Sequence, residues 1–437
     1  MGIVGLLLAI ALLMYLVYKG LDVVVMTIVC SLLIALTSGL DVLDSFKTAY
    51  MGNLGTMIGV LGAQFLGGAI IGSLYADTGA AYSIADWICK TVKVKDARKK
   101  NLVTVLMVMI VTIGLGYLGV NALVLLFLTY PICNEICRKY DWDSHFVPIL
   151  VMTGPLANIL PGAAQGYNII PTTILGTHPM ASAIPGFIAC LAMFFLTLFY
   201  TTNIITKSQL AGEHYIETEE LKKQDVKFDQ FPKPIIAAIP LLSLFICFNV
   251  LNIGIEASMA VCVILSLALF WKYYPDVKKT FTSGVTNAAK TIIQFGALMG
   301  FAKVAMSTPT YDNIVRAVTS NTSTDPVIMT VISVALLTGI SNSGTSGITA
   351  SLNAFSDYYI SRGIAPAIIH RTAALTAATL DTLPTNSGVI ISLKLGGFTY
   401  KQSYFPIFMN TVVFPMVTVV AYIILIKLFP GIAAWPI

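Results

Sequence analysis

Charged side chains are scarce in this chain of 437 residues. Asp, Glu, Lys and Arg together make up 11% of the sequence, whereas hydrophobic residues make up 57% and the mean hydropathy is +0.83. A water-soluble domain needs far more polar surface, so the soluble globular classes are excluded. The composition instead predicts an all-α polytopic membrane protein, because a bilayer requires every backbone polar group to be paired within the protein.

Sequence motifs for enzyme chemistry are also missing. The chain has no phosphate-binding glycine loop, no His-Glu-x-x-His and no extramembrane domain large enough for a soluble active site. Its 7 cysteines are scattered, and the close pair Cys133 and Cys137 stands on an apolar stretch without further ligands. That context favours packing over metal binding. We therefore expect no enzymatic activity, no metal site and no cofactor.

The apolar runs predict membrane spans of about 20 residues each. The first run lacks a basic segment before it and a small-residue cleavage site after it, so we interpret it as a retained helix and not as a signal peptide. The first half gives spans near residues 3–18, 21–40, 54–75 and 186–203. The second half gives spans near residues 235–251, 257–273, 288–306 and 405–428.

Three further features occur in both halves. An amphipathic arm is expected on the membrane surface at residues 80–100 and 310–321. A re-entrant hairpin is expected at residues 101–138 and 327–361, although an ordinary pair of spans remains the alternative for the first. A hydrophobic segment interrupted by Leu-Pro follows each hairpin, at residues 146–176 and 365–395.

These features predict two inverted-topology repeats, residues 1–206 and 234–437, joined by a hydrophilic linker at residues 207–233. With the hairpin counted as no net crossing, each half crosses about five times, and an odd number forces opposite orientations. Asp41-Val42 recurs as Asp276-Val277, which supports the repeat. Most loop lysines and arginines fall on the linker's side, as membrane orientation requires and without any need for a nucleic-acid partner. We therefore expect a cytoplasmic linker and both termini outside the plasma (inner) membrane.

The paired interruptions at Leu160-Pro161 and Leu383-Pro384 indicate the kind of function. Irregular backbone survives at membrane depth only inside protein or beside water, because unpaired groups cost several kcal/mol each. Paired broken spans are typical of secondary transporters that bind their substrate between the breaks. Helix N-termini favour a carboxylate and helix C-termini favour a cation. The sequence thus predicts a transporter whose partners are the lipid bilayer, a small organic anion and a coupling proton or sodium ion.

Polar residues at the breaks and hairpin tips are the candidate substrate-binding residues. The second hairpin turns at Ser341-Asn342-Ser343-Gly344-Thr345-Ser346-Gly347, for which an ordinary polar turn outside the membrane is the alternative. The first tip offers mainly Asn121. The full set is Asn121, Asn158, Gln165, Asn168, Ser341, Asn342, Ser343, Thr345, Ser346, Thr382, Thr385, Asn386 and Ser387.

Asp381 is the acidic residue of the broken segments and the candidate ion-coupling group. A charge at such depth costs at least about 2.5–3.5 kcal/mol, so a function is expected, although N-capping the next half-helix is compatible with the same residue. His370 and Arg371 lie about three turns earlier, where a gate or an interfacial anchor near the outer mouth is expected. Lys303 and Lys394 also fall in apolar segments, but long stems carry ammonium groups to the interface, and neither is taken as a ligand.

Two C-terminal runs resemble the signature of the gluconate permease family of gluconate:proton symporters, within the ion-transporter superfamily. They are His370-Arg371-Thr372-Ala373-Ala374 and Leu380-Asp381-Thr382-Leu383-Pro384-Thr385-Asn386-Ser387-Gly388-Val389-Ile390. Asp77-Thr78-Gly79-Ala80-Ala81 is similar to a further family segment, whereas Thr385 stands where that family commonly has His. The resemblance implies import of a small organic acid, such as gluconate or another hydroxycarboxylate, by proton symport. It also implies a homodimer with an elevator mechanism, in which each half's hairpin and broken helix move against a scaffold.

Two other interpretations of the function remain open. The tip Ser341-Asn342-Ser343 resembles the Ser-Asn-Thr tips of sodium-coupled dicarboxylate carriers of the same superfamily, which predicts sodium-dependent uptake. A channel or a membrane-embedded enzyme predicts fast ion flux or product formation without accumulation of substrate.

Overall fold

The computed structural model describes residues 2–19, 21–117, 122–163, 165–222, 230–247, 251, 253–313 and 324–433. Within these ranges the regular secondary structure is entirely helical. Four described segments are long and apolar enough to cross a membrane, and shorter apolar helices lie between them. The four are Val42–Asp77, Ala183–Leu210, Ile255–Tyr273 and Tyr400–Leu428.

The first half begins with three apolar helices and continues into a hairpin and an interrupted segment. The third helix contains a π-helical stretch, Ser45–Met51, and the 3-10 helix Gly154–Ile159 follows the seventh. The helices are α1 Gly2–Tyr18, α2 Val23–Thr37, α3 Val42–Asp77, α4 Ala80–Thr91, α5 Ala97–Tyr117, α6 Ala122–Tyr140, α7 Phe146–Val151, α8 Gly166–Leu175 and α9 Ala183–Leu210.

Apart from the arm, the described helices of the second half follow a similar order. A short helix in the linker precedes it, and its last long helix contains the π-helical stretch Met409–Val413. The helices are α10 Glu219–Lys222, α11 Pro234–Phe245, α12 Ile255–Phe270, α13 Val277–Met306, α14 Pro326–Ser341, α15 Gly344–Ser361, α16 Pro366–Ala377, α17 Ser387–Gly396, α18 Tyr400–Leu428 and α19 Pro430–Ala433.

The recurring Asp-Val dipeptide marks the start of the long third helix in each half. Asp41 Oδ1 accepts a hydrogen bond from the Asp44 amide at 2.7 Å, and Asp276 Oδ1 accepts one from the Lys279 amide at 3.0 Å. Such N-caps satisfy amides that lack an intrahelical acceptor. The motif therefore fixes where α3 and α13 begin.

Helices α3 and α13 pack against each other along much of their length, and small residues allow the close approach. A Cβ placed on Gly300 would lie 2.7 Å from the carbonyl oxygen of Tyr50. A Cβ on Gly284 would lie 2.9 Å from the Cα of Ile70. Helices in membranes commonly associate through such small residues. The pair joins the two halves into one body of packed helices.

Helix boundaries differ from the sequence predictions where polar residues begin a helix. Helix α3 starts at Val42 and α13 at Val277, each more than ten residues before the predicted apolar span. The arm ends at Thr91, and residues 97–100 already belong to α5. Helix α9 continues through Leu210, into the predicted linker. Hydropathy misses these turns because capped polar residues extend a helix without adding apolar side chains. Residues 223–229 of the linker and 314–321 of the second arm lie outside the described ranges.

The arm α4 is fastened to the first hairpin by ion pairs. Asp86 lies 2.6 Å from the ammonium group of Lys139 on α6 and 2.8 Å from that of Lys90. Burial opposes the charge on Asp86, but the two ammonium groups outweigh it and lower the pKa of its carboxyl group.

Both interrupted segments leave helical structure close to their Leu-Pro dipeptides. Helix α16 ends at Ala377, and helix α17 begins only at Ser387. In the first half, the 3-10 helix ends at Ile159 and α8 begins at Gly166. The turn between α14 and α15 places Asn342 in the left-handed region, with φ of 51°. These three non-helical stretches supply the walls of the candidate site.

Candidate functional site

Both interrupted segments and the tip of the second hairpin meet at one cavity of about 310 Å³. The first break contributes to it through the start of α8, and the second break through the start of α17. The candidates from the sequence that line it are Asn158, Gln165, Asn342, Ser343, Thr345, Asp381, Thr382, Asn386 and Ser387. Residues from distant parts of the chain therefore share one site.

Three helices begin at the wall of this cavity. Their first residues, Gly166 of α8, Gly344 of α15 and Ser387 of α17, are all lining residues. The first amides of a helix have no acceptor within the helix, and the helix dipole makes that end positive. Among the described lining residues there is no lysine or arginine. The positive potential of the cavity therefore comes from backbone dipoles.

Side chains at two of these N-termini act as caps. The Ser343 hydroxyl accepts a hydrogen bond from the Ser346 amide at 3.3 Å. Asn386 Oδ1 accepts bonds from the amides of Gly388 at 2.8 Å and Val389 at 3.3 Å. Gln165 makes no capping bond at α8, and its amide nitrogen donates to the Gly116 carbonyl at 2.5 Å. The start of α8 is therefore the least capped of the three.

Asp381 connects three segments at the cavity. The Tyr167 hydroxyl donates a hydrogen bond to Oδ2 of Asp381 at 2.6 Å, and the Gly344 amide donates one to Oδ1 at 3.0 Å. Asn386, and not Asp381, is the N-cap of α17. The Asp381 carboxyl group instead lies at the N-terminus of the hairpin helix α15, where a negative charge is stabilised. It is also the only carboxyl group among the described lining residues.

Thr385 and Thr382 hold the second break in place. The Thr385 hydroxyl donates a hydrogen bond to Oδ1 of Asn342 at 2.5 Å, so it orients a lining side chain although it does not line the cavity. The Thr382 hydroxyl donates to Oγ1 of Thr411 at 2.6 Å. Tyr404 donates to the carbonyl of Thr382 at 3.3 Å. Helix α18 therefore supports the break from behind.

Three other sequence candidates are engaged in bonds that shape the tip and the first break. The Ser341 hydroxyl donates to the Leu337 carbonyl at 2.7 Å, and that of Ser346 donates to the Ser343 hydroxyl at 3.1 Å. The Asn168 amide group donates to the carbonyls of Asn158 and Leu160 at 3.2 and 3.1 Å. The structure places none of the three on the cavity wall. Asn121 lies outside the described residues.

Arg371 is buried inside the protein, whereas its distance along the chain from Asp381 predicted a position near the outer mouth. It is 0% exposed, and its guanidinium group donates to Asn168 Oδ1 at 2.7 Å and to the carbonyls of Ile159, Pro179 and Ala181 at 3.2, 2.8 and 3.1 Å. These acceptors are neutral oxygens at and after the first break. Arg371 therefore pairs backbone groups that the interrupted helix leaves without partners.

His370 is likewise buried, with 0% exposure. Its Nδ1 lies 2.7 Å from the hydroxyl oxygen of Thr177, which follows α8. Neither His370 nor Arg371 reaches the surface, so the expectation of an interfacial anchor is not met. Both side chains of the second interrupted segment instead form hydrogen bonds with the first interrupted segment or the loop that follows it.

Sequence reasoning missed the hydroxyl group of Tyr167 and the apolar part of the cavity wall. Tyr167 holds Asp381, and Phe295 and Met299 of α13 form an apolar wall. Tyr167 directly follows Gly166 of the first break, so a hydroxyl group beside an interruption could have indicated a site residue. Phe295 and Met299 resemble any other apolar residue of a span, and nothing in the sequence distinguishes them.

The sequence of this chain is similar to those of membrane permeases and transporters. Residues 1–171 match the GntP family permease model. The uncharacterized transporter YxjC of Bacillus subtilis (strain 168) is 26% identical over 462 residues, which cover 94% of this chain and 96% of that protein. The crystal structure of the Alcanivorax borkumensis YdaH transporter is similar with a TM-score of 0.47 and 12% identity, over 91% of this chain and 90% of that one. The family resemblance predicted from the sequence is thus confirmed over residues 1–171, and the two sequence matches indicate a multi-pass membrane transporter and not an enzyme.

Proposed function

We propose that this protein is a secondary active transporter that imports a small organic anion, a gluconate-like hydroxycarboxylate, together with a cation. The preferred coupling ion is the proton. The observation that carries the proposal is the meeting of three helix N-termini and one carboxyl group, Asp381, at a single cavity.

The cavity wall suits a hydroxycarboxylate in two ways. Each helix N-terminus stabilises a nearby anion by about 0.3–2 kcal/mol, depending on burial, so three of them attract a carboxylate without a lysine or arginine. Amide and hydroxyl groups of Asn158, Asn342 and Ser387 line the same space and match the hydroxyl groups of such an acid.

Asp381 is the proposed coupling group because its carboxyl group joins the moving parts. Its hydrogen bonds reach Tyr167 of the first break and Gly344 of the hairpin, so its charge state affects both. A proton bound at Asp381 would remove a negative charge from the cavity as the anionic substrate enters. The two ligands then bind cooperatively, which is the requirement for symport.

An ion gradient supplies enough free energy for accumulation. A tenfold proton gradient contributes about 1.4 kcal/mol per proton, which supports about tenfold accumulation. Any net charge moved inward adds about 2.3 kcal/mol per 100 mV.

The proposed movement is an elevator motion in a homodimer built from two inverted repeats. Helices α3 and α13 would belong to the static scaffold, and the hairpins and interrupted segments would carry the site across. The matching order of elements in the two halves supports this assignment. The linker would then be cytoplasmic and both termini outside the plasma (inner) membrane.

Sodium-coupled transport of a dicarboxylate is the second candidate. It is favoured by the hairpin tip, where helix α14 ends at Ser341 and the side chain of its C-cap Asn342 contacts Thr385 of the second break. Helix C-termini stabilise cations. Uptake in the absence of sodium separates the two candidates.

The test is uptake into proteoliposomes with an imposed pH or sodium gradient, with gluconate, short hydroxy acids and dicarboxylates as substrates. Asp381→Asn keeps the shape of the side chain but cannot exchange a proton. We expect it to retain exchange of substrate between equal pools and to lose accumulation driven by the gradient.

Asp325→Asn is the matched control, because Asp325 is an exposed N-cap of α14 and asparagine caps equally well. It should accumulate substrate like the unmodified protein. Normal accumulation by Asp381→Asn would rule out Asp381 as the coupling group. A protein that transports none of these anions under any gradient would overturn the proposed function.

A further inference from the structure

A second cavity, of about 620 Å³, lies beside the site cavity among α3, α6, α13 and α17. Neighbouring residues of one helix line the two spaces. On α13, Gln294 lines the second cavity and Phe295 lines the site cavity. On α17, Ile391 lines the second cavity and Gly388 lines the site cavity. We call this second cavity the vestibule. Its position makes it the space next to the substrate site along two shared helices.

The vestibule extends toward the linker side of the protein. Its wall includes Glu220 of the linker helix α10 and the first turn of α13, with Lys278 and Lys279. An anion that leaves the substrate cavity toward the linker would therefore pass through the vestibule.

Two lysines line the deep part of the vestibule, Lys290 on α13 and Lys394 on α17. Lys394 comes seven residues after Ser387, which places it about two turns and 10 Å along the same helix face from the substrate cavity. Lys290 comes five residues before Phe295. Both side chains border the same space of about 620 Å³. Within the described part of the chain, neither forms an ion pair or a hydrogen bond.

The vestibule wall also carries acidic residues. Asp276 caps the start of α13, and Asp77 accepts a hydrogen bond from the Thr280 hydroxyl, ten residues before Lys290. Glu220 packs beside Gly397, beyond the end of α17. Asp22 of the α2 N-cap acts on Lys394 from outside the vestibule wall, and its own Oδ1 accepts the Val24 amide at 2.9 Å.

The wall between the lysines is polar without being acidic. Asn287, Thr291 and Gln294 of α13 supply amide and hydroxyl groups there. Two lysines that form no ion pair within the described residues, with amide and hydroxyl groups between them, form an environment that attracts a carboxylate from water. The long stems of lysine explain how two such charges are carried by apolar segments.

We propose that Lys290 and Lys394 form a transit site that binds the carboxylate of a small organic anion between the substrate cavity and the linker face. That the ligand is the transported substrate rests on the proposed function, whereas the cationic character of the vestibule does not. Release into a cationic vestibule would lower the barrier for an anion leaving the helix N-termini.

Thiol labelling tests the cationic character without any transport measurement. Asn287→Cys places a thiol in the vestibule, three residues from Lys290, and Asn287 is exposed to that space. The cysteine is labelled with a sulfonate-bearing and with a trimethylammonium-bearing methanethiosulfonate reagent, and labelling of this position is followed by peptide mass spectrometry. We expect Lys290→Gln with Lys394→Gln to lower the ratio of anionic to cationic labelling rates by about tenfold.

Lys303→Gln is the matched control, because Lys303 is an exposed lysine of the same helix that lines neither cavity. It should leave the labelling ratio unchanged. A ratio that does not change in the double variant would overturn the transit site. The single variants Lys290→Gln and Lys394→Gln should give intermediate ratios and show whether each lysine contributes.

Uptake measurements then test the transit role. The double variant should lower initial uptake several-fold at low ionic strength and remove most of its dependence on salt, because exposed charges are screened by ions. A changed labelling ratio with unchanged uptake would reject the transit role. Absence of uptake in the unmodified protein would overturn the proposed function alone, since the labelling ratio still reports the charge of the vestibule.

Discussion

At the scale of single residues, the contact between Tyr167 and Asp381 connects the two interrupted segments. A phenol and a carboxyl group 2.6 Å apart form a short, strong hydrogen bond where water is largely excluded. The bond fixes the carboxyl group against the N-terminus of α15 at the cavity. Its loss should affect coupling more than folding.

Tyr167→Phe removes only the hydroxyl group of this contact. We expect gradient-driven accumulation to fall about tenfold, with exchange of substrate largely retained, because Asp381 loses the shortest of its hydrogen bonds. Uptake and exchange in proteoliposomes measure the two activities. Tyr50→Phe, which removes the 2.9 Å contact between Tyr50 of α3 and Thr27 of α2, is the control. Equal accumulation by both variants would contradict a coupling role of the Tyr167 hydroxyl group.

Arg371→Gln tests the grip of the second interrupted segment on the first. Glutamine is too short to reach all four acceptors, and each buried acceptor left without a donor costs about 1–3 kcal/mol. We expect a loss of several degrees or more in the thermal unfolding midpoint of the purified protein in detergent. Arg362→Gln, at an exposed site after α15, should change the midpoint little. Similar midpoints for both variants would show that the buried guanidinium group is dispensable.

At the scale of elements, the second hairpin depends on close packing of its two helices. A Cβ on Gly347 of α15 would overlap the Thr338 hydroxyl and lie 2.6 Å from the Thr338 amide nitrogen of α14. Because backbone cannot rotate away as a side chain can, any added methyl group must separate the helices. The tip residues that line the cavity would move with them.

Gly347→Ala is therefore expected to weaken substrate binding at least tenfold and to reduce uptake accordingly. The measurement is the concentration dependence of initial uptake rates, compared with the amount of folded protein from size-exclusion chromatography. Gly339→Ala on the facing helix is the control, because its Cβ would meet the Leu380 side chain at 3.4 Å, an ordinary contact. Unchanged affinity in Gly347→Ala would show that the tip tolerates displacement.

The site could be predicted from sequence where backbone is interrupted, and not where side chains cross between elements. Leu-Pro dipeptides and the Ser-Asn tip are local features, so Asn158, Asn342 and Ser387 were found as lining residues. Arg371 was misplaced, since distance along a helix does not reveal that its side chain reaches sideways to the first break. Lys394 was taken as an interfacial lysine, because a sequence does not show which lysines border a cavity.

At the scale of the whole molecule, α3 touches both the partner half and the first hairpin. It packs on α13 along its length, and a Cβ on Gly72 would lie 2.9 Å from the Phe127 carbonyl oxygen of α6. In the proposed elevator motion, the hairpin slides along this part of α3. A smooth surface at Gly72 is then a requirement for movement.

Gly72→Ala should lower the uptake rate several-fold, because a methyl group at this contact obstructs sliding and disfavours the present packing. Initial uptake rates and thermal unfolding midpoints are the measurements. Gly59→Ala on the same helix, where nothing lies within 4 Å of the added Cβ, should transport normally. Equal uptake rates in the two variants would argue against relative movement of α3 and α6.

The reliance of the cavity on three helix starts has a consequence for the range of conditions in which the protein works. Amide dipoles have no proton to lose, so the attraction for an anion remains constant from acidic to alkaline media. Any variation of transport with acidity must then arise from Asp381 or from the transported acid itself. A change of acidity would thus leave the contribution of the three helix starts to anion binding in place and act through the charge of Asp381 or of the anion.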